Sequence, residues 1–289
     1  MNRTKWQLDR RRLLTSGAFA GGASLLGPLM PAWAQSGSPG IKPDMPTLSG
    51  EDIQLTIGHT PFTLGGKTGH AVTVNGTLPS PLLRLREGEN FRVAVTNTLA
   101  DEDASIHWHG VLLPFHMDGV PGISFPGIPP GETFLYEFPI LHAGTFWYHS
   151  HSGFHESMGQ YGPLIFDPAG DDPVQYDREH VIVLSDWSFM HPHEIVTKMK
   201  KANGYFNYQK LTLAGLLDGD NAEDRMSIRD RLMWSRMRMD PTDIADVTAA
   251  TYTYLINGHG PKANWTGLFE PGERVRLRFI NASAMTVGD

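Results

Sequence analysis

Glu87-Gly88-Glu89-Asn90-Phe91-Arg92-Val93-Ala94-Val95-Thr96-Asn97 is the stretch whose pattern decides the fold. Apolar side chains fill every second position from Phe91 to Val95, the period of a strand with one buried face, and Gly88 between two acidic residues marks a turn ahead of it. The pattern then returns. Glu270-Pro271-Gly272-Glu273-Arg274-Val275-Arg276-Leu277-Arg278-Phe279-Ile280-Asn281 sets a glycine and a closing asparagine at the same offset. Each copy follows an aliphatic-Asn-Gly turn, Val74-Asn75-Gly76 and Ile256-Asn257-Gly258. Two copies of one β-unit are the simplest account.

Further runs alternate in the same way: Ile53-Gln54-Leu55-Thr56-Ile57, Leu82-Leu83-Arg84-Leu85-Arg86, Phe134-Leu135-Tyr136-Glu137-Phe138, residues 145–151 and residues 180–184. Gly and Pro punctuate them, and no helices intervene. Short strands so spaced predict an all-β fold, a sandwich or barrel. Residues 51–170 are read as a first domain and residues 171–289 as a second. The common offset sets Asp289 against Ser105, so the second unit is expected to be incomplete. Residues 189–248 have another texture. Residues 225–239 are charged and Met-rich and read as a helix closed by Pro241, which predicts a helical insertion in the second unit. Met226, Met233, Met237 and Met239 lie near one face of it; thioethers suit Cu(I), but packing is the plainer role for such a stripe.

The N-terminus reads as an address. Arg10-Arg11-Arg12-Leu13-Leu14 precedes a mild apolar run, and Ala32-Trp33-Ala34 supplies a small-x-small cleavage pattern. Residues 1–34 resemble a twin-arginine signal, which implies the twin-arginine export machinery as a partner and a periplasmic destination. No other segment approaches the length of a membrane span, so no membrane is expected after signal removal. Residues 35–50 are rich in Ser, Gly and Pro and read as a flexible lead-in.

The formal charge is −7 over 289 residues, and removing the basic leader makes the remainder more acidic still. Such a surface repels phosphate backbones, so nucleic acid is not expected as a partner. There is no cysteine. Disulfides, thiol nucleophiles, iron–sulfur clusters and cysteine-ligated zinc are excluded with it, as is a thiolate-bound blue-copper site.

Two constellations carry chemistry, His107-Trp108-His109-Gly110 and His149-Ser150-His151. Residues two apart on a strand face one way, so each motif aims two imidazoles to one side. If the two strands adjoin, four neutral nitrogen donors converge, a set that suits copper, zinc, iron or nickel. Alternatives stay open at this point. The His-x-His-x-Asp-His pattern of binuclear zinc hydrolases is absent. A cupin-like mononuclear oxygenase would use His149, His151 and Glu156, but Pro130-Gly131 precedes the motif instead of following it. Asp118 is either a functional carboxylate or a turn residue ahead of Gly119. His191-Pro192-His193 has ligand spacing, but its proline argues for a solvated loop. His59, His70, His116, His142, His155, His180 and His259 are given no metal role, and Glu51, Asp52 and residues 101–103 read as solvated turns.

Ser105-Ile106-His107-Trp108-His109-Gly110, Met117-Asp118-Gly119-Val120-Pro121, Gly144-Thr145-Phe146-Trp147-Tyr148-His149-Ser150-His151-Ser152 and Tyr161-Gly162-Pro163-Leu164-Ile165 together resemble the first two copper loops of the multicopper oxidases. Residues 234–243 and 279–285 are similar to the periplasmic copper-resistance branch. The resemblance implies a cupredoxin-like β-sandwich followed by an incomplete second cupredoxin-like domain. It implies His107 as a ligand of the type-2 copper, and His109, His149 and His151 as ligands of the type-3 pair. Asp118 becomes a nearby carboxylate that helps deliver protons to oxygen. The activity implied is oxidation of Cu(I) or phenols coupled to reduction of O2 to water, in copper resistance. The remaining copper loops and the type-1 cysteine are not in this chain. A non-catalytic copper-binding fragment is therefore the alternative.

Overall fold

The alternation at residues 91–95 becomes strand β5 (Asn90–Asn97) of a computed structural model that describes residues 45–201, 229 and 252–284. Phe91, Val93 and Val95 are fully buried. Around β5 lie β2 (Ile53–Leu64), β3 (Lys67–Val74) and β7 (Thr133–Pro139), in the order β3-β2-β5-β7. A second sheet holds β1 (Thr47–Leu48), β4 (Leu82–Arg86), β6 (His107–His109), β8 (Gly144–His149) and β9 (Tyr161–Asp167), in the order β1-β4-β9-β8-β6. Leu55, Ile57 and Phe138 from one sheet meet Leu83, Trp108, Tyr148 and Phe166 from the other in a single core. This is the β-sandwich that the alternating runs predict, because period-two patterning leaves each sheet one apolar face to cover.

The internal repeat has a structural counterpart. β10 (Arg178–Trp187), β11 (Thr253–Ile256) and β12 (Val275–Asn281) form a sheet of order β11-β10-β12. β10 runs antiparallel to β11 and parallel to β12, as β2 does to β3 and β5. The turn chemistry repeats as well. Asn75 and Asn257 both adopt positive φ, 52° and 49°, which asparagine tolerates better than most residues. Each side chain clips the neighbouring strand: the Thr56 N–H donates to Asn75 Oδ1 at 2.7 Å, and the Val183 N–H to Asn257 Oδ1 at 2.7 Å. Asn97 Oδ1 accepts from the Leu99 N–H as Asn281 Oδ1 does from that of Ser283, at 2.9 and 3.1 Å.

One difference separates the copies. Val93 and Val95 are 0% exposed, whereas their counterparts Leu277 and Phe279 are 51% and 60% exposed. Among the described residues no second sheet covers that face of β12. Its other face turns toward the first unit, where Ile280 packs with Tyr161. Glu179 on β10, its side chain 8% exposed, accepts from Arg84 on β4 at 2.8 Å and from Arg278 on β12 at 2.6 Å. Arg84 also forks onto Asp167 at 2.7 and 2.8 Å. Gly258 fits only without a side chain, since a Cβ there would lie 2.1 Å from the Leu78 carbonyl oxygen.

Several sequence expectations change. The strand expected over 145–151 ends at His149, and Ser150 and His151 lie in the following loop. Thr47 and Leu48, inside the expected flexible lead-in, pair with β4 as β1, helped by the Leu82 N–H donating to the Pro46 carbonyl. His191-Pro192-His193 is not a loop. Pro192 opens helix α1 (Pro192–Lys201), where a fixed φ and a missing N–H are harmless. The signal at residues 1–34 and the Met-rich segment with Met226, Met233, Met237 and Met239 lie outside the described residues, as does all of 202–251 except Arg229.

Arg84 keeps Asp167 when Glu179 is removed, but the largely buried Arg278 guanidinium loses its carboxylate. Glu179→Ala is expected to lower unfolding free energy by about 3 kcal/mol. Urea denaturation followed by tryptophan fluorescence measures it, and an unchanged midpoint would show the junction to be inert.

Candidate metal centre

β6 is an edge strand three residues long, paired antiparallel with β8 so that His107 faces His149, Trp108 faces Tyr148 and His109 faces Trp147. The pleat sorts these side chains. Trp108 and Tyr148 point into the core, both at 0% exposure, and Trp108 meets Phe91 edge-on at 4.7 Å and Tyr136 at 5.2 Å. The histidines are left on the opposite face. Ring centroids of His107 lie 5.5 Å from His109, 5.4 Å from His149 and 4.7 Å from His151; His149 and His151 are 5.0 Å apart. The four imidazoles predicted to converge do so. Ring nitrogens of His107, His109 and His149 all fall within 4.8 Å of one another, a spacing that can hold a metal ion.

Each ring is aimed by its outer nitrogen. His107 Nδ1–H donates to the Asp118 carbonyl at 2.7 Å, and an Asp118 carboxylate oxygen stands 3.3 Å from the same nitrogen. His149 Nδ1–H donates to Glu156 at 2.7 Å. Both rings therefore keep Nε2 as the free lone pair, the tautomer a metal requires. His149 Nε2 lies 3.2 Å from His109 Nδ1. Trp147 stacks on His149 at 4.1 Å and also lies against His109 at 5.0 Å, fixing both ring planes. The His151 loop is pinned by Ser105, whose hydroxyl oxygen accepts from the His151 N–H at 3.0 Å and from the Ser152 hydroxyl at 2.9 Å. Gln160 in turn donates to the Ser105 carbonyl at 2.7 Å.

The cupin-like arrangement fails on this geometry. Glu156 engages the outer nitrogen of His149, so it orients that ring and does not share an ion with it. Sequence reasoning missed this role, and also Trp147, Ser105 and Gln160 as supports. Glu156, seven residues past a histidine in a loop, gives no periodic signal of its own.

His109 and His151 titrate below the usual 6.5. Burial disfavours their charged form first, and the neighbouring histidines repel a further positive charge. Neutral imidazoles are the metal-binding form, so a set of such donors fits copper or another imidazole-loving ion.

Fold and site define a β-sandwich with a candidate metal centre, and comparison with known proteins narrows the class. The profile of the multicopper oxidases matches residues 56–171. Copper resistance protein A of Pseudomonas syringae pv. tomato is 47% identical over 285 residues, 96% of this chain and 46% of that protein. Copper resistance protein A of Escherichia coli is 46% identical over 283 residues, 97% of this chain and 46% of that protein. Among solved structures, the blue copper oxidase of Nitrosomonas europaea superposes with a TM-score of 0.56 at 29% identity, over 82% of this chain and 62% of that one. The chain belongs to the multicopper oxidase family. It spans about half the length of the curated relatives it matches.

Two outcomes test the centre. Gly119 has φ +77°, and a Cβ there would sit 1.8 Å from the Ile106 carbonyl oxygen, beside the Asp118–His107 contact. Gly119→Ala is expected to weaken metal retention about tenfold with every ligand still present, read by equilibrium dialysis. In the metal-free chain the folded pKa values of His109 and His151 lie below their unfolded 6.5, so protons favour the unfolded chain. Their contribution to stability is whole above about pH 6.5 and declines as pH falls through the folded values. A urea midpoint measured at successive pH values checks this, and a centre-deleted variant with the same acid slope would refute it.

Proposed function

We propose that this chain supplies the first two copper loops of an oxygen-reducing multicopper oxidase that acts in copper resistance, with Cu(I) or a phenol as electron donor. The observation that carries the reading is the convergence of four strand- and loop-borne imidazoles, two of them locked by outer partners at 2.7 Å. In this reading His107 holds the type-2 copper through Nε2, because Asp118 occupies Nδ1. His109, His149 and His151 hold the type-3 pair. The 3.2 Å between His109 Nδ1 and His149 Nε2 suits one shared ion, since tetrahedral ligands about 2.0 Å from a metal lie about 3.3 Å apart. Bound copper supplies the one-electron chemistry that takes dioxygen to water.

The protein's own part is positional and electrostatic. Glu156 and Asp118 keep the rings in one tautomer, Trp147 keeps their planes, and burial keeps His109 and His151 neutral. The Asp118 carboxylate, 3.3 Å from the His107 ring nitrogen, is assigned the holding and passing of protons destined for oxygen. The type-1 site needs a thiolate, and the sequence has no cysteine, so that site belongs to a longer form of the protein. Exposed Leu277 and Phe279 support the same reading: in a longer form, further strands cover them. Residues 1–34 are read as a twin-arginine signal and the working compartment as the periplasm. The paired arginines ahead of Leu13-Leu14 and the Ala32-Trp33-Ala34 pattern support this.

A second reading, copper held without turnover, is favoured for this chain by itself because it has no cysteine. One experiment separates the outcomes. The 289-residue chain is loaded with Cu(II), dialysed, and assayed for retained copper, blue absorption and phenol oxidation. Retained copper without blue absorption or turnover is expected, and His107→Gln with His149→Gln is expected to abolish the retention at the centre. Retention indifferent to those two substitutions would overturn the copper assignment.

A further inference from the structure

A second group of histidines lies outside the centre. His59, His70, Glu102, His155, His191 and His193 line one cleft of about 590 Å³. They come from β2, β3, the loop after β5, the loop after β8 and the start of α1, so only the folded chain brings them together. The sequence suggested no metal role for His59, His70 or His155, and a solvated turn for Glu102.

The core of the group is a pair. His59 Nδ1 and His70 Nε2 are 2.8 Å apart, with ring centroids at 4.4 Å. At that distance one proton sits between two lone pairs, and a metal ion can take its place. Two nitrogens each about 2.0 Å from one ion, at right angles about it, are themselves about 2.8 Å apart, the cis spacing of a tetragonal site. Glu102 adds a carboxylate. It accepts from His155 Nε2 at 2.6 Å, and that ring is 2% exposed with no hydrogen-bond partner at Nδ1. His59 and Glu102 sense each other's charge, and Glu102 senses that of His193 as well. His191 and His193 flank the buried Pro192 with their rings parallel within 6° and 5.4 Å apart; His193 is held edge-on by Phe154 at 4.8 Å. Several imidazoles and one carboxylate lining a single cleft, on a net acidic chain, are a setting for a divalent cation of borderline softness. Copper(II) binds such donors most tightly of the common divalent ions.

We propose that this cleft is a second transition-metal site, in which His59 and His70 are cis ligands of a copper(II) ion and Glu102 supplies the charge. His151 lines the same cleft, so the two sites adjoin. The proposal stands on its own residues and does not need the centre to hold copper.

The test uses Cu(II) itself and the whole 289-residue chain. His59→Gln with His70→Gln alters two exposed side chains, and far-ultraviolet circular dichroism serves as the check on folding. Three proteins are dialysed against Cu(II) and compared: the unaltered chain, the His59/His70 variant, and a His107→Gln, His149→Gln variant. The His59/His70 variant is expected to retain one copper fewer than the unaltered chain. The centre variant is expected to keep that copper, with a tetragonal electron paramagnetic resonance signal showing nitrogen coupling. Equal copper in the unaltered and His59/His70 chains overturns the second site, whereas a loss confined to the His59/His70 variant overturns the copper reading of the centre instead.

Discussion

The pairing of β6 with β8 in one register is the constraint from which the rest follows. His107 opposite His149 and Trp108 opposite Tyr148 are a single fact seen from two faces of a sheet. A slip of one residue would put imidazoles among Phe91, Tyr136 and Phe138 and turn an indole to water. Burying Trp108 is worth several kcal/mol, on the order of the 3–5 lost when such a side chain is cut to alanine. The energy that sets the register is thus apolar, and the metal centre inherits its geometry from the core. Ion binding need not organise the strands; packing does so beforehand.

Much of this was legible in the sequence because both governing signals are local. Alternation at residues 53–57, 82–86, 91–95 and 134–138 marks strands whatever their partners, and asparagine before glycine marks the turns that close them. His107 and His109 were legible for the same reason, since strand spacing alone says that residues two apart share a side; His151 joins them from the loop after β8. What the sequence hid depends on contacts between distant segments. β9 was harder to see because Pro163 sits inside it; the strand tolerates the proline because pairing with β4 begins only at Leu164. Glu156 entered the sequence reading only as the third ligand of the cupin alternative, because a separation of seven positions from His149 does not say which ring nitrogen it reaches. Glu102 and His155, or His59 and His70, meet through loop and hairpin geometry that no periodicity encodes.

The two β-units are joined by polar as well as apolar means. Glu179 ties β10 to β4 and β12 through two guanidiniums, and Gly258 brings its turn so near Leu78 that no side chain fits. Ion pairs of this kind set orientation more than they add stability, because desolvating the charges offsets much of their attraction. The first unit thereby fixes which face of the second is hidden. Arg276, Arg278 and Ile280 turn inward, while Leu277 and Phe279 are left to water.

His109 and His149 touch across 40 residues of chain. Closing so long a loop costs more chain entropy than closing a hairpin does. Either motif alone, in a chain still being made or half unravelled, is a two-toothed claw that lets a cation go. The four imidazoles meet only once the sandwich has shut, so on the proposed reading the tenacity with which a sample keeps metal grades how many of its molecules have finished folding.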